Sequence, residues 1–153
     1  MLGRSALRKV GGNQIVTEPR VLRFEETEWH DRGTGVKSRV LVSRRIGSEN
    51  LTNGVTVFPP GAKIAVHWHN CDESVVILEG EAVCEIEGKQ IQMSQLDTTF
   101  VPANVPHRFL NLTDRPLSIL WTYAAGYVTR TFADNGVTVE HMSEGDKATV
   151  PTQ

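Results

Sequence analysis

The sequence predicts an all-β fold, a sandwich or a barrel, for most of its 153 residues. From about residue 36 onward, short runs of β-branched and aromatic residues alternate with turn residues. Short strands at such regular spacing are typical of β-sandwiches and β-barrels. No stretch combines helical periodicity with caps at both ends, so the pattern indicates no helix.

The predicted strands follow one another closely along the chain. In chain order they span residues 36–43, 55–58, 63–69, 74–78, 82–86, 98–101, 108–110 and 117–123, and a shorter run follows at 137–139. Turn sequences separate them, for example Asn53-Gly54 and Glu87-Gly88. Strands end at such places because glycine adopts positive φ and proline lacks a backbone donor.

The chain length fits a single domain that can bury a core without disulfide bonds or other staples. We expect the barrel to span residues 21–133. Residues 1–20 mix charge, glycine and one proline, and are predicted to form an N-terminal tail or an edge strand. Residues 134–153 are predicted to form a C-terminal extension that ends in a polar tail.

Composition excludes several classes of function. The formal net charge is −2 with both signs interspersed, so we expect no nucleic-acid or membrane partner. No apolar stretch approaches the ~20 residues of a membrane helix. The first residues lack the apolar region of a secretory signal. The only two cysteines, Cys71 and Cys84, form no disulfide framework, and we expect a cytoplasmic protein.

The most informative segment contains two histidines and a glutamate. In a strand, alternate side chains share a face, so His67 and His69 project together, roughly 6–7 Å apart. Six residues of continuous strand would carry Glu73 about 20 Å from His67, whereas a metal–oxygen bond is only ~2 Å long. The chain must therefore reverse between His69 and Glu73 if all three bind one ion, and Asn70 and Asp72 favour a turn.

A polar strand face exposed to solvent is the alternative interpretation of these three residues. Val75 and Ile77 continue the face that Glu73 begins, and both are apolar, so this face is predicted to point inward. Buried histidines and a buried carboxylate need partners. A cation satisfies all of them at once.

Residues 61–80 resemble the first sequence motif of the cupin family. That motif runs from a glycine through five residues to His67-x-His69, then through three residues to Glu73 and through six to Gly80, and it is complete here.

Residues 96–111 resemble the second cupin motif, although two positions depart from it. Leu96 stands where a glycine is usual, and Asn104 replaces a second glycine. Asparagine tolerates the left-handed conformation that such a turn needs. Three residues stand at the places that this motif expects: Pro102, His107 and Asn111.

The resemblance implies a double-stranded β-helix barrel of the cupin or jelly-roll type, which commonly pairs as a homodimer. It also implies one divalent transition-metal ion held by His67, His69, Glu73 and His107. Three imidazoles and one carboxylate suit iron, manganese, nickel, zinc or copper, and we favour iron or manganese. On an octahedral ion, two positions would remain for water, oxygen or substrate.

Strand parity extends the predicted pocket beyond these ligands. Tyr123 is the candidate catalytic residue because its hydroxyl can donate a proton or orient a ligand. Parity turns Lys63 and Arg108 away from the metal, which predicts little positive charge in the pocket and argues against a polyanionic substrate. Ordinary core packing remains the alternative for each pocket candidate: Phe109, Ile119, Trp121, Val75 and Ile77.

Three functions compatible with the cupin resemblance stay open. The favoured one is a metal-dependent enzyme that acts on a small organic molecule, in particular an oxygen-using dioxygenase. The second is a metal-dependent lyase, decarboxylase or isomerase, in which the ion acts only as a Lewis acid. Val75 stands where cupin sulfoniopropionate lyases usually carry a tyrosine, which counts against a lyase of that particular kind. The third is a non-catalytic cupin that binds a small ligand.

Overall fold

A computed structural model describes residues 8–10 and 14–150. These residues contain fourteen strands: β1 (Arg8–Val10), β2 (Gln14–Val16), β3 (His30–Asp31), β4 (Lys37–Val42), β5 (Thr52–Phe58), β6 (His67–His69), β7 (Glu73–Glu79), β8 (Ala82–Ile86), β9 (Lys89–Met93), β10 (Thr98–Val101), β11 (His107–Leu110), β12 (Leu117–Tyr123), β13 (Thr129–Phe132) and β14 (Thr138–Glu140). Two short 3-10 turns span Phe24–Glu26 and Arg44–Ile46.

The strands form two six-stranded antiparallel sheets that close as a jelly-roll barrel. One sheet has the order β10-β7-β12-β5-β4-β3 and the other β14-β13-β6-β11-β8-β9, while β1 and β2 pair separately as a hairpin. From β5 to β13 the chain crosses repeatedly between the two sheets, with β8 and β9 remaining together. This arrangement confirms the predicted all-β double-stranded β-helix.

The predicted and observed strands agree best where apolar residues alternate cleanly. The strands predicted at 82–86, 98–101 and 117–123 have the observed bounds. The strand predicted at 63–69 is shorter, because only His67–His69 forms a ladder and Lys63 makes a single bridge to Leu110. The sequence interpretation missed Lys89–Met93, a mostly exposed edge strand without an alternating apolar face.

The core lies between the two sheets and receives alternate residues from the central strands. Every second residue of β12 is buried, including Ile119, Trp121 and Tyr123. Gly54 lies directly opposite Trp121 in the neighbouring strand. A Cβ atom at Gly54 would approach the indole ring to 2.4 Å, so this glycine makes room for the tryptophan inside the barrel.

The described part of the C-terminal extension packs against the barrel. Strand β14 pairs with β13, and Asp146 and Ala148 are each only 1% exposed, although both lie in the stretch predicted as a polar tail. The Ala148 amide donates to the carbonyl of Arg32, and the Ala65 amide donates to the carbonyl of Ala148. Within residues 8–10 and 14–150, no helix has the length and hydropathy needed to cross a membrane.

Candidate metal centre

The two sheets bring four predicted metal ligands together inside the barrel. His67 and His69 lie on β6, Glu73 is the first residue of β7 in the opposite sheet, and His107 is the first residue of β11. His67 and His107 are direct partners across two antiparallel strands, so their side chains share one face. All four side chains are buried, with at most 4% exposed.

The turn between His69 and Glu73 carries the chain from one sheet to the other, as the sequence predicted. The Asn70 side chain accepts a hydrogen bond from the Thr129 amide at 2.8 Å and donates one to the Tyr127 carbonyl at 3.0 Å. These two bonds hold the end of β6 against the start of β13. Glu73 thereby begins a returning strand that faces the histidines.

Backbone contacts fix the tautomer of each histidine. The Nδ1 atoms of His67, His69 and His107 lie 2.7, 2.9 and 2.8 Å from the carbonyl oxygens of Ala65, Thr129 and Val105. A carbonyl oxygen only accepts, so each Nδ1 carries a proton and donates it. In a neutral ring the other nitrogen, Nε2, then keeps its lone pair, which is how metal-binding histidines are usually oriented.

The geometry of the cluster fits a cation. Ligand atoms of the three histidines lie within 4.8 Å of one another. The Glu73 carboxylate lies beside this group, with Oε1 2.9 Å from His107 Nε2 and Oε2 3.4 Å from His69 Nε2. Glu73 Oε1 and His107 Nε2 are fully buried, yet neither makes a hydrogen bond with the described residues. Buried unpaired acceptors are costly, and a positive ion between them would remove that cost.

Electrostatics inside the cluster favours neutral imidazoles at His67 and His69 beside an ionised Glu73 carboxylate. Burial lowers the pKa of His67 well below its usual value, and burial also lowers the pKa of His69. Burial alone would raise the pKa of Glu73, but the neighbouring histidines outweigh it and hold that pKa well below its usual range. Burial opposes the charged form of His107, but the Glu73 carboxylate prevails and raises its pKa.

Four of the five predicted pocket residues line a cavity beside the histidine cluster, and the fifth lies in the hydrophobic core. Val75, Phe109, Ile119 and Trp121 line a cavity of about 30 Å³ beside His67 and Glu73. Ile77 is completely buried in the core and does not line that cavity.

Tyr123, the candidate catalytic residue, also lines this cavity. Its hydroxyl lies 3.2 Å from His69 Nε2. Burial raises the pKa of the phenol well above its usual value, so the group stays protonated and is available as a donor.

The expectation of little positive charge in the pocket is wrong. Arg32 and Arg130 both line the cavity, and each is 5% exposed. The Asp146 carboxylate pairs with both guanidinium groups, at 2.8 Å from Arg32 and 2.9 Å from Arg130. His141 also reaches the cavity, and its ring centroid lies 4.9 Å from that of Trp121 and 5.0 Å from that of Tyr123.

Only one of these additional residues left a signal in the sequence. Arg130 alternates with Val128 and Phe132, and all three are buried, so strand parity would have placed the arginine inside. Arg32 lies in a loop, and Asp146 lies in a polar turn more than a hundred residues away. No periodicity connects those two positions.

Asn111 stabilises the barrel structure and takes no part in the histidine cluster. The Asn111 side-chain amide donates to the carbonyls of Phe58, Pro59 and Arg115, and thus joins two loops at the barrel end.

Cys71 and Cys84 are free and buried. Burial raises the pKa of Cys71 to about 11 and that of Cys84 to about 12, so both thiols remain protonated and unreactive.

Comparison with known families gives one match. Residues 54–123 match the family model described as the cupin domain, a stretch that contains the three clustered histidines and Glu73. A search of the curated proteins found no match to this chain.

Solved structures share the fold at low sequence identity. An RmlC-like cupin from Shewanella frigidimarina is 24% identical, with 72% of this chain and 95% of that one covered and a TM-score of 0.61. A sugar phosphate isomerase of the cupin superfamily from Silicibacter pomeroyi is 20% identical, with 84% and 99% covered and a TM-score of 0.62. The polyketide cyclase RemF from Streptomyces resistomycificus is 14% identical, with 78% and 89% covered and a TM-score of 0.64. At these identities the likeness shows the fold alone.

Proposed function

The chain carries a cupin domain, and we propose that it is a metal-dependent enzyme that acts on a small organic molecule. One observation carries this proposal. Three histidines donate hydrogen bonds from Nδ1 to backbone carbonyls, and their ligand atoms lie within 4.8 Å of one another. A purely structural role would not require buried acceptor atoms to face each other.

We propose that His67, His69, Glu73 and His107 hold one divalent transition-metal ion. Three nitrogen donors and one carboxylate fit iron or manganese, and also nickel, zinc or copper. When bound, such an ion supplies Lewis acidity and, for iron or manganese, one-electron chemistry. The backbone acceptors of the three Nδ1 protons hold each imidazole in place before the ion arrives.

Oxygen-dependent chemistry, that of a dioxygenase, is the favoured reaction class within this proposal. Four protein ligands would leave room on an octahedral ion for two small ligands side by side. The apolar wall beside the ligands supports this proposal, because Val75, Phe109 and Ile119 line the cavity there and leave little room for bulk water.

Lewis-acid chemistry by a lyase, decarboxylase or isomerase is the second candidate. It is favoured by one observation, the position of the Tyr123 hydroxyl 3.2 Å from His69 Nε2. A buried protonated phenol beside the ligands can deliver a proton to a carbanion or an enolate. In this case Tyr123 acts as the general acid, and the reaction needs no oxygen.

Metal content tests the proposal directly. Protein purified without added metal should contain close to one transition-metal ion per chain, measured by elemental analysis. His67→Ala and His107→Ala should each lose most of it, because the remaining donors no longer surround an ion. His30→Ala is the matched control, since His30 lies on β3 away from the cluster. Full metal content in both cluster variants would refute the site.

Oxygen uptake distinguishes the two reaction classes. Iron-loaded protein should consume oxygen with a diketone, phenolic or keto-acid substrate, whereas equal turnover without oxygen would favour the Lewis-acid reaction. Tyr123→Phe then provides a second test. For a general acid the variant should lower kcat by about 10²–10⁴-fold and retain its metal, whereas an unchanged kcat would exclude that role.

We also propose a cytoplasmic homodimer that binds neither nucleic acid nor membranes. Exposed apolar residues on two edge strands support the pairing, since Phe100 on β10 is 68% exposed and Ile91 on β9 is 52% exposed. Light scattering coupled to gel filtration should give twice the chain mass of 17.0 kDa. A monomer at micromolar concentration would contradict the pairing.

A further inference from the structure

The second polar cluster, Arg32, Arg130 and Asp146, borders the proposed metal centre. Arg130 lies directly opposite His69 in the ladder between β13 and β6, so both side chains enter the barrel from the same face. Arg32 reaches the same cavity from the loop after β3. The two arginines therefore border the cavity beside the proposed metal centre.

The charges in this cluster are unbalanced. Two guanidinium groups share a single carboxylate, and all three side chains are at most 6% exposed. Arg130 Nε and Asp146 Oδ1 lie 2.9 Å apart, but neither atom has a hydrogen bond of good geometry among the described residues. The carboxylate that lines the cavity, Glu73, is a proposed metal ligand, so the arginine pair keeps an excess of positive charge, and a buried excess of charge costs free energy. An additional anion would therefore be stabilised there.

Asp146 reaches the arginines from a short segment, residues 141–148, without helix or strand. Hydrogen bonds and ring contacts hold this segment. They include the bond from Arg32 Nε to the Asp146 carbonyl at 2.7 Å, the bond from the Met142 amide to Asp146 Oδ2 at 2.7 Å, and the packing of His141 against Trp121 and Tyr123. Met142 adopts a left-handed φ of 64°, which is unfavourable for a residue other than glycine. A carboxylate that takes the place of Asp146 would restore the two ion pairs that the segment loses when it moves.

The segment separates two spaces of very different size. The inner cavity of about 30 Å³ has room for an ion or a water molecule but not for an organic acid. An outer cleft of about 480 Å³ lies beyond the segment and is lined by His141, Met142 and Ser143. His141 borders both spaces. A substrate that enters from the cleft must therefore displace this segment.

We propose that Arg32 and Arg130 form a carboxylate-binding site that Asp146 fills until a small carboxylic acid replaces it. The planar guanidinium fork matches a carboxylate in geometry and charge, and the present occupant is itself a carboxylate. This inference rests on the proposed function and names its substrate class as small organic acids. The exchange is a substitution of one carboxylate for another, and no bond is made or broken.

Chemical rescue of Asp146→Ala by acetate tests the site. The variant should melt at a lower temperature than wild type. Sodium acetate should then restore the melting temperature in a saturable way by at least about 5 °C, relative to sodium chloride at equal ionic strength. Asp134→Ala, an exposed control, should show no acetate effect, and Arg130→Ala combined with Asp146→Ala should lose it. Sodium phosphate, run in parallel, should restore less, because the fork is filled by a planar carboxylate here.

Three outcomes of the acetate experiment would overturn the inference: folded Asp146→Ala that responds to acetate no more than the control, a response that survives removal of Arg130, or a response to phosphate that equals that to acetate. Asp146→Asn replaces Asp146→Ala if the latter does not fold, since it keeps the shape and loses the charge. Hydrogen exchange on wild type applies in every case. Acetate should accelerate exchange of the Met142 and Ala148 amides relative to chloride, and unchanged exchange would overturn the displacement of the segment.

Metal content of the same Asp146→Ala sample separates this inference from the proposed function. Asp146 is no ligand in the proposed site, so the variant should retain about one ion per chain. Retained metal without acetate rescue refutes only the carboxylate site. If His67→Ala and His107→Ala retain the metal content of wild type, the proposed function is refuted. The acetate result is then interpreted independently of any metal.

Discussion

The barrel contains two buried polar clusters that differ in the charge of the group that would complete them. The histidine cluster, formed by His67, His69, Glu73 and His107, presents acceptor atoms to one another, and two of those atoms have no hydrogen-bond partner among the described residues. The arginine cluster, formed by Arg32, Arg130 and Asp146, contains cations in excess of its one carboxylate. The first cluster is suited to a cation and the second to an anion, and residues of both line one cavity.

The clusters also differ in how the chain assembles them. The histidine cluster comes from strands β6, β7 and β11, all between residues 67 and 110. The arginine cluster joins residues 114 positions apart and depends on the C-terminal segment. This difference suggests that the first cluster is a fixed part of the barrel, whereas the second can exchange its carboxylate without unfolding the sheets.

Replacing the carboxylate of the arginine cluster should have the largest effect on stability. Asp146→Leu leaves two guanidinium groups buried without a counter-ion, which should lower the free energy of unfolding by about 3–5 kcal/mol. The triple variant Arg32→Met, Arg130→Met and Asp146→Leu should recover most of the loss, because it buries no charge. Urea denaturation of metal-loaded protein measures both values. A triple variant as unstable as the single one would show that the charges themselves hold the segment.

Removing the metal should have the next largest effect, confined to the histidine cluster. A ligand that binds only the folded state stabilises it by about 4 kcal/mol at a thousandfold excess over its Kd. A chelator should therefore lower the stability of wild type by a comparable amount and leave His107→Ala unchanged. Asp146→Leu should lose as much as wild type. Equal sensitivity of His107→Ala to the chelator would contradict the proposed ligand set.

Acidification should weaken the arginine cluster only at low pH. Burial opposes ionisation of Asp146, but Arg130 and Arg32 outweigh it and hold the pKa of this carboxyl well below its usual 3.8. A depressed carboxyl pKa contributes stability that is fully present above the unfolded pKa and is lost as pH falls through the folded pKa.

The stability difference between wild type and Asp146→Asn should therefore stay constant from pH 7 to 5 and shrink by about 1 kcal/mol at pH 3. Urea denaturation of both chains at each pH, with the metal removed, measures it. A difference that already declines between pH 7 and 5 would assign the effect to other groups.

Breaking an ion pair on the surface should have the smallest effect on the free energy of unfolding. It gives a reference value for the loss expected without burial. Arg108 and Glu85 are 3.0 Å apart on the outer face, where the arginine side chain is 29% exposed. Glu85→Gln should lower the free energy of unfolding by about 0.2–1 kcal/mol, and added salt should reduce that loss. A loss as large as that of Asp146→Leu would show that burial does not distinguish the two carboxylates.

Strand parity predicted much of the histidine cluster because its residues belong to short, regular strands. His67 and His69 share a face by spacing alone, and the turn before Glu73 followed from the reach of an extended chain. The second cupin motif supplied His107. Its two departures are accommodated, since Leu96 and Asn104 adopt left-handed φ values of 70° and 65°, and Leu96 is 71% exposed, so no packing opposes its turn.

Parity could not predict the rest of the site. Parity predicted that Lys63 and Arg108 point away from the metal, and Lys63 is exposed as expected. The orientation of these two residues could not show whether other arginines enter the pocket. Arg32 and Asp146 meet only because the C-terminal segment folds back over the barrel end. The predicted polar tail gave no sign of this, since its composition is that of a solvated chain.

Local sequence patterns were enough to predict the all-β barrel and the grouping of His67, His69 and Glu73, because strand periodicity and ligand spacing involve only two or three elements close in the chain. The other residues that face the proposed metal centre depend on the tertiary fold. It buried Asp146 between Arg32 and Arg130, and it placed His141 between the inner cavity and the outer cleft. Such contacts depend on where distant loops meet, and no local pattern of residues encodes that meeting.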